Sequence, residues 1–261
     1  MHNPFTSLAS LARTLGCLAG LWLAATAVYA QAPQDDETAT TYEREFNYGV
    51  NFNTNGGLLG GVAFKYAWQR SADWYNRVSL EVVNLKHPKE FRARGAISSF
   101  IPNKVNYLFA VRPSFGQEYV LFEKAPEEGV QLNLVFGAGP TLGLLKPYYI
   151  LYAEQPNDGL AISRRYNPSL NSNNIVGAGR PLDGIDELSL LPGFHFNGGL
   201  AFESGRNRNS VFGLEGGFML EVYTQRVPLL GFNPNAIGPN ILKNPQWFNG
   251  LYLILYYGNK Q

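Results

Sequence analysis

A chain that hydrolyses or transfers an acyl group needs a base beside its nucleophile, and histidine is the usual one. This chain has three: His2, His87 and His195. His2 lies in an N-terminal segment that reads as a cleaved signal. His87 sits in a loop beside Pro88. His195 falls near a strand end, on the inward face, with Glu187 and Ser189 nearby in sequence. A Ser–His–acid grouping is conceivable there, but nothing in the spacing fixes its geometry. HExxH and GxSxG are absent. GAGR at 177–180 lacks the strand–helix context of a phosphate cradle. The single cysteine, Cys17, also belongs to the N-terminal segment, which excludes thiolate nucleophiles and zinc–thiolate sites from the remainder. The sequence therefore assigns no catalytic residue, no metal ligand and no cofactor.

Three groups of charged and aromatic residues carry more. Lys65, Glu81, Arg112, Glu203, Glu215 and Glu221 occupy positions that alternate with apolar ones. Facing one another, they would form an ion-pair plug that fixes strand register, because an unpaired buried charge is costly. The competing reading is a proton or ion path. A second group, Lys86, Lys89, Arg92 and Arg94 with Lys104, faces one acid, Glu90. It could meet lipopolysaccharide phosphates through charge-assisted bonds, or be a solvated loop. The third group lies in the long segment 147–192: Tyr148, Tyr149, Tyr152 and Tyr166 with Arg164, Arg165 and Arg180. Tyr and Arg are favoured at protein interfaces. This segment either folds over a barrel mouth and docks a partner, or is a mobile surface loop.

The elements that position these residues show a period of two. Phe46, Tyr48, Val50 and Phe52 alternate with Asn47, Gly49, Asn51 and Asn53. The same alternation marks strands at about 58–69, 74–85, 104–122, 129–146, 194–203, 210–224 and 246–258. That is eight strands. After the first, short polar connections alternate with long ones, as in outer-membrane barrels with short periplasmic turns and longer extracellular loops. Trp68 and Trp74, Phe202 and Phe212, and Tyr256 and Tyr257 sit near strand ends, where interfacial girdles occur. Gly60-Gly61, Gly198-Gly199 and Gly216-Gly217 allow the bending a narrow barrel needs. Pro113 and Pro140 interrupt strands, which predicts a bulge or a strand end at each.

Composition agrees. Aromatics make up 14% and charged residues 16% of the chain, with 28 glycines; a soluble domain is usually about a quarter charged. The formal net charge of +1 gives no pull toward nucleic acid. Residues 1–30 read as a signal peptide: Arg13, an apolar run from Leu15 to Val28, then Val28-Tyr29-Ala30. The alternatives are a retained helix, for which the run is short, and a lipoprotein cleaved at Cys17. Residues 31–44 read as a flexible leader and 45–261 as the barrel. With no later helical span, a closed barrel is the remaining way to cross a bilayer.

Strand pattern, signal peptide and the aromatic-rich final strand LYLILYY together resemble the small eight-stranded outer-membrane barrels of Gram-negative bacteria, the OmpA/OmpX-like and PorT-like class. FGAGPTLGLLKPYY at 136–149 is similar to barrels of the Bacteroidetes lineage. The chain departs from the pattern in ending Gly258-Asn259-Lys260-Gln261. The resemblance implies an all-β, transmembrane, antiparallel up-and-down barrel in the outer membrane. It also implies a non-catalytic anchor, docking or structural role in the cell envelope. Outer-membrane lipid and an envelope protein are the expected partners, and no nucleic acid. A narrow channel and a lipid-modifying enzyme are the alternatives. The enzyme would need His195 bonded to a Ser or a carboxylate.

Overall fold

A computed structural model describes residues 43–123, 130–155, 160–204, 210–231 and 244–260, all within the compact unit Thr40–Gln261. The proposed signal peptide and nearly all of the leader lie outside the described residues. Eight strands close into a barrel: β1 (Arg44–Asn53), β2 (Gly57–Gln69), β3 (Trp74–Leu85), β6 (Asn106–Phe122), β7 (Gln131–Pro147), β11 (Ser189–Ser204), β12 (Ser210–Tyr223) and β13 (Trp247–Lys260). Every neighbouring pair is antiparallel, and β1 pairs with β13 to complete the circle. The remaining strands belong to the long connections. β4 (Ala93–Arg94) and β5 (Ser99–Phe100) form a small hairpin. β8 (Tyr149–Ala153), β9 (Ala161–Arg165) and β10 (Ile175–Ala178) form a three-stranded sheet in the order β10-β8-β9.

The barrel is polar within and apolar without. Along β1, Glu45, Asn47 and Asn51 are buried while Phe46, Tyr48 and Val50 face out; along β13, Tyr252, Ile254 and Tyr256 are buried while Leu251, Leu253, Leu255 and Tyr257 face out. No Asp, Glu, Lys or Arg occupies an outward position from Phe46 to Phe52, Val62 to Trp68, Trp74 to Val82, Phe109 to Leu121, Leu132 to Leu142, Leu190 to Phe202, Phe212 to Val222 or Trp247 to Tyr257. Water would not retain such a surface and lipid does, so this is a transmembrane barrel. Aromatic pairs gather at the end that carries the short turns. Tyr48 meets Tyr257 at 6.1 Å between ring centres, Trp68 meets Phe115 at 6.4 Å, and Trp74 meets Tyr119 at 4.8 Å. Tyr256 is not part of this girdle. The period of two sends it inward, and it is buried.

Pro113 and Pro140 cause neither a bulge nor a strand end. The β6–β7 register runs from Val111↔Leu142 to Phe115↔Ala138 without a shift, which sets the two prolines opposite each other. Pro113 also pairs with Leu80, and Pro140 with Phe194. Each proline removes one ladder donor, and opposing them confines both losses to one place on one seam. Pro192 likewise lies inside β11, paired with Leu142, so the barrel strand starts at Ser189 rather than after the proline.

The described residues of the three long connections gather at one end of the barrel, here the loop end. Val227 and Leu229, from the β12–β13 connection, join Val83, Leu85, Leu108, Ala110, Leu145, Leu191, Tyr223 and Phe248 in an apolar layer over most of the lumen, while on the β1 side Asn51 bonds to Glu81 and Asn53 to Asn51. The β3–β6 and β7–β11 connections build a cap with its own core of Phe100, Tyr148, Ile150, Tyr152, Tyr166 and Ile175.

Candidate functional site

Two places hold the residues singled out by sequence: the lumen and the cap. All six expected interior charges are buried in the lumen, and four more join them: Glu45, Arg77, Glu118 and Lys260, the last of which is only part-buried. They form three groups. Nearest the turn end, Lys260 Nζ lies 2.6 Å from Glu203 and 3.6 Å from Glu45, and Tyr256 donates to Glu203 at 3.0 Å. In the second group Glu215 is shared. It pairs with Lys65, accepts from Arg77 at 3.0 Å and from the Tyr252 hydroxyl at 2.9 Å, while Arg77 also reaches Glu118 at 3.2 Å. In the third, Arg112 pairs with Glu221 and lies 3.7 Å from Glu81, and Tyr223 donates to Glu221 at 2.7 Å.

Period two decides which residues point inward, and Arg77 and Glu118 follow it along β3 and β6. Glu45 and Lys260 follow it too, at the ends of β1 and β13, just beyond the stretches of alternation that sequence assigns to those strands. An eight-stranded barrel is narrow enough for side chains to fill. Here they fill it with paired charges that the apolar layer then covers.

His195 faces this lumen, 2% exposed, and its Nδ1 lies 2.9 Å from the Thr141 hydroxyl. Neither a serine nor a carboxylate bonds to it among the described residues. The Thr141–His195 pair points away from the lipid-facing surface, where an acyl substrate would arrive. Among the described residues no cluster of His, Cys, Asp or Glu could hold a metal ion.

The cap separates the aromatic residues of 147–192 into two kinds. Tyr148, Tyr152 and Tyr166 are buried in its core. The Tyr148 hydroxyl accepts from the Ile101 N–H at 3.0 Å and that of Tyr166 from the Asn103 N–H at 3.2 Å. They therefore tie the β7–β11 connection to the β3–β6 connection. Tyr149, Arg164 and Arg165 remain toward solvent: Arg165 pairs with Glu187 at 2.9 Å, Tyr149 donates to the same carboxylate, and Arg164 lies 5.8 Å from the Tyr152 ring centre. Hydrogen bonds from Ser163 and the Arg180 N–H hold Asp183 below its ordinary range. Sequence missed the three short strands because their cores depend on partners from another connection, Phe100 above all.

The basic connection is ordered as well. Lys104 is fully buried and pairs with Glu90 at 2.6 Å. Burial pushes Lys104 below the ordinary lysine range, against the pull of Glu90. Lys86, Lys89, Arg92 and Arg94 are all exposed.

No family profile and no curated protein matches the chain. Among solved structures it is similar to Ail, the attachment invasion locus protein of Yersinia pestis, at 12% identity, covering 85% of this chain and 100% of that one with a TM-score of 0.37. It is similar also to Ail in complex with the heparin analogue sucrose octasulfate, at 12% identity, covering 84% of this chain and 96% of that one with a TM-score of 0.34.

Proposed function

We propose that this chain is a non-catalytic outer-membrane barrel that anchors an ordered cap, serving the cell envelope as a docking or structural subunit. The observation that carries this reading is the filled lumen: three groups of paired charges, then apolar side chains from β3, β6, β7, β11, β12 and β13 joined by Val227 and Leu229. A conducting pore needs open, hydrated space, and buried Lys65, Arg77, Glu81, Arg112, Glu215 and Glu221 fill this lumen with paired side chains. The position of His195 on the lumen side, away from lipid, supports a non-catalytic role. The short turns at one end and the cap at the other suit a barrel with its turns in the periplasm and its cap outside. Tyr149, Arg164 and Arg165 then offer the surface for an envelope protein, while Tyr148, Tyr152 and Tyr166 hold that surface in shape.

The test is single-channel recording in planar bilayers, using detergent-purified protein whose folding is shown by heat-modifiable gel migration. Silence is the expected result. Stable, sizeable openings would overturn the sealed anchor and turn the reading toward transport. Fractionation of cells into inner and outer membranes tests the location.

A further inference from the structure

The lipid-facing side chains of β3 run Val78, Leu80, Val82, Asn84 and continue, one residue past the strand, to Lys86. The β3–β6 register pairs Leu85 with Leu108, so one further step sets Lys86 opposite Tyr107; the β6–β7 register pairs Tyr107 with Lys146. Three adjacent strands thus end in a row Lys86, Tyr107, Lys146, of which Lys86 is exposed, Tyr107 is half-buried against the cap core and Lys146 is buried. Lys104 and Lys146 place their ammonium groups 4.5 and 5.3 Å from the Tyr107 ring centre. Lys104 and Lys146 are buried beneath the cap, and Lys86 is the exposed cation at which the barrel's apolar wall gives way to the connection.

The connection beyond Lys86 keeps the same sign. Its one acid, Glu90, is turned inward and held by Lys104, their side chains 6% and 1% exposed. Lys86, Lys89, Arg92 and Arg94 are exposed, and none forms an ion pair among the described residues. Phe91 stands among them and Ile97 three residues beyond Arg94, 62% and 64% exposed. Such apolar side chains are a liability in water. Beside cations at the edge of a lipid-facing wall, they have the chemistry of an interfacial contact, with apolar groups in the acyl boundary and ammonium and guanidinium groups on phosphates. The occupant that matches both charge and position is the lipid already against the barrel.

We propose that residues 86–97 form a binding surface for the phosphorylated headgroups of outer-leaflet glycolipid, with Lys86, Lys89, Arg92 and Arg94 on the phosphates and Phe91 and Ile97 in the acyl boundary. This rests on the orientation given above, cap outward. Each cation near a charged membrane surface adds to the attraction, so losing four lowers affinity about tenfold or more.

The experiment titrates the full folded chain in detergent micelles with diphosphorylated lipid A and with the same lipid dephosphorylated. Binding is read by native mass spectrometry. The wild type is expected to prefer the phosphorylated lipid about tenfold or more. The variant K86Q/K89Q/R92Q/R94Q is expected to lose that preference while keeping its heat-modifiable migration. Phe91→Ala is expected to weaken both lipids several-fold. A wild type without preference, or a quadruple variant equal to it, overturns the proposal. Displacement of the lipid by inorganic phosphate, with the ionic strength matched by chloride, overturns the assignment to lipid. Orientation is read separately. Cys17 is the chain's one cysteine, so in a Cys17→Ala background Ala96→Cys, exposed in the same connection, is a unique handle for an impermeant maleimide. Labelling in intact cells supports the outer-leaflet assignment. Labelling only after permeabilisation overturns it and leaves the phosphate affinity measured in micelles standing.

Discussion

The lumen and the cap are built by opposite rules from one chain. In the lumen, Lys65, Arg77, Arg112 and Lys260 meet six glutamates behind a wall of outward phenylalanines and leucines. In the cap, Phe100, Ile150 and Ile175 are inside, with Arg164, Arg165 and Glu187 outside. The surrounding solvent accounts for the difference. A strand in lipid gains nothing by hiding apolar side chains, so its polar ones turn in and must satisfy one another. A cap in water buries apolar area in the ordinary way. The two regions should accordingly fail differently when cut into.

The largest expected effect is in the lumen. Glu215 holds Lys65, Arg77 and the Tyr252 hydroxyl at once. Glu215→Ala leaves two buried cations short of a partner and should cost about 3–5 kcal/mol, seen as a lower urea midpoint for loss of the folded gel band. The double variant K65M/E215Q should recover part of this, because Arg77 keeps Glu118 at 3.2 Å. A double variant as unstable as the single one would mean that charge pairing is not what the lumen depends on.

Next comes the cap. Tyr148→Ala removes a buried aromatic from the cap core and the acceptor of the Ile101 N–H. The expected loss is about 3 kcal/mol, confined to the cap. Limited proteolysis should cut within 148–188 while the barrel keeps its heat-modifiable migration. A barrel that melts together with the cap would break the division between the two regions.

Strand periodicity made the barrel legible because every buried or lipid-facing position along a strand repeats the same choice. β3 spans Trp74–Leu85, as its alternation of Val78, Leu80 and Val82 with Arg77, Ser79 and Glu81 predicts. Periodicity says which way a residue faces and not whom it meets. Glu215 finds partners 150 and 138 positions away, and Pro113 finds Pro140 only once register is known. The cap was less legible. β8, β9 and β10 are 5, 5 and 4 residues long, too short for a pattern, and their core is completed by side chains from a different connection. The tyrosines that read as an exposed interface were therefore divided by tertiary packing, three inward and one outward.

A smaller effect is expected where the lumen has no spare volume. Tyr256 pairs across the sheet with Gly213, and its ring lies where a Cβ on Gly213 would stand. Tyr256 is also held by its hydrogen bond to Glu203, so it cannot swing aside freely. Gly213→Val should cost about 1–3 kcal/mol through overpacking, measured by the same urea midpoint. Gly213→Val with Tyr256→Phe should cost less than the sum of the two singles, since the ring freed from Glu203 can yield. Strict additivity would show that the ring is not the obstacle.

The smallest effect lies on the cap surface, where a lumen-like ion pair meets water. Arg165 and Glu187 are as close as the buried pairs, 2.9 Å, but their side chains are 55% and 36% exposed. Screening and the entropy of two free side chains reduce such a contact to about 0–1 kcal/mol. A double-mutant cycle over Arg165→Ala and Glu187→Ala, read as resistance of the cap to proteolysis, should give a coupling within that range that fades in high salt. Glu187 also accepts from the exposed Tyr149 hydroxyl, so Glu187→Ala alone should cost slightly more than Arg165→Ala. A coupling as large as that at Glu215 would mean that the two regions differ in sequence more than in the solvent that surrounds them.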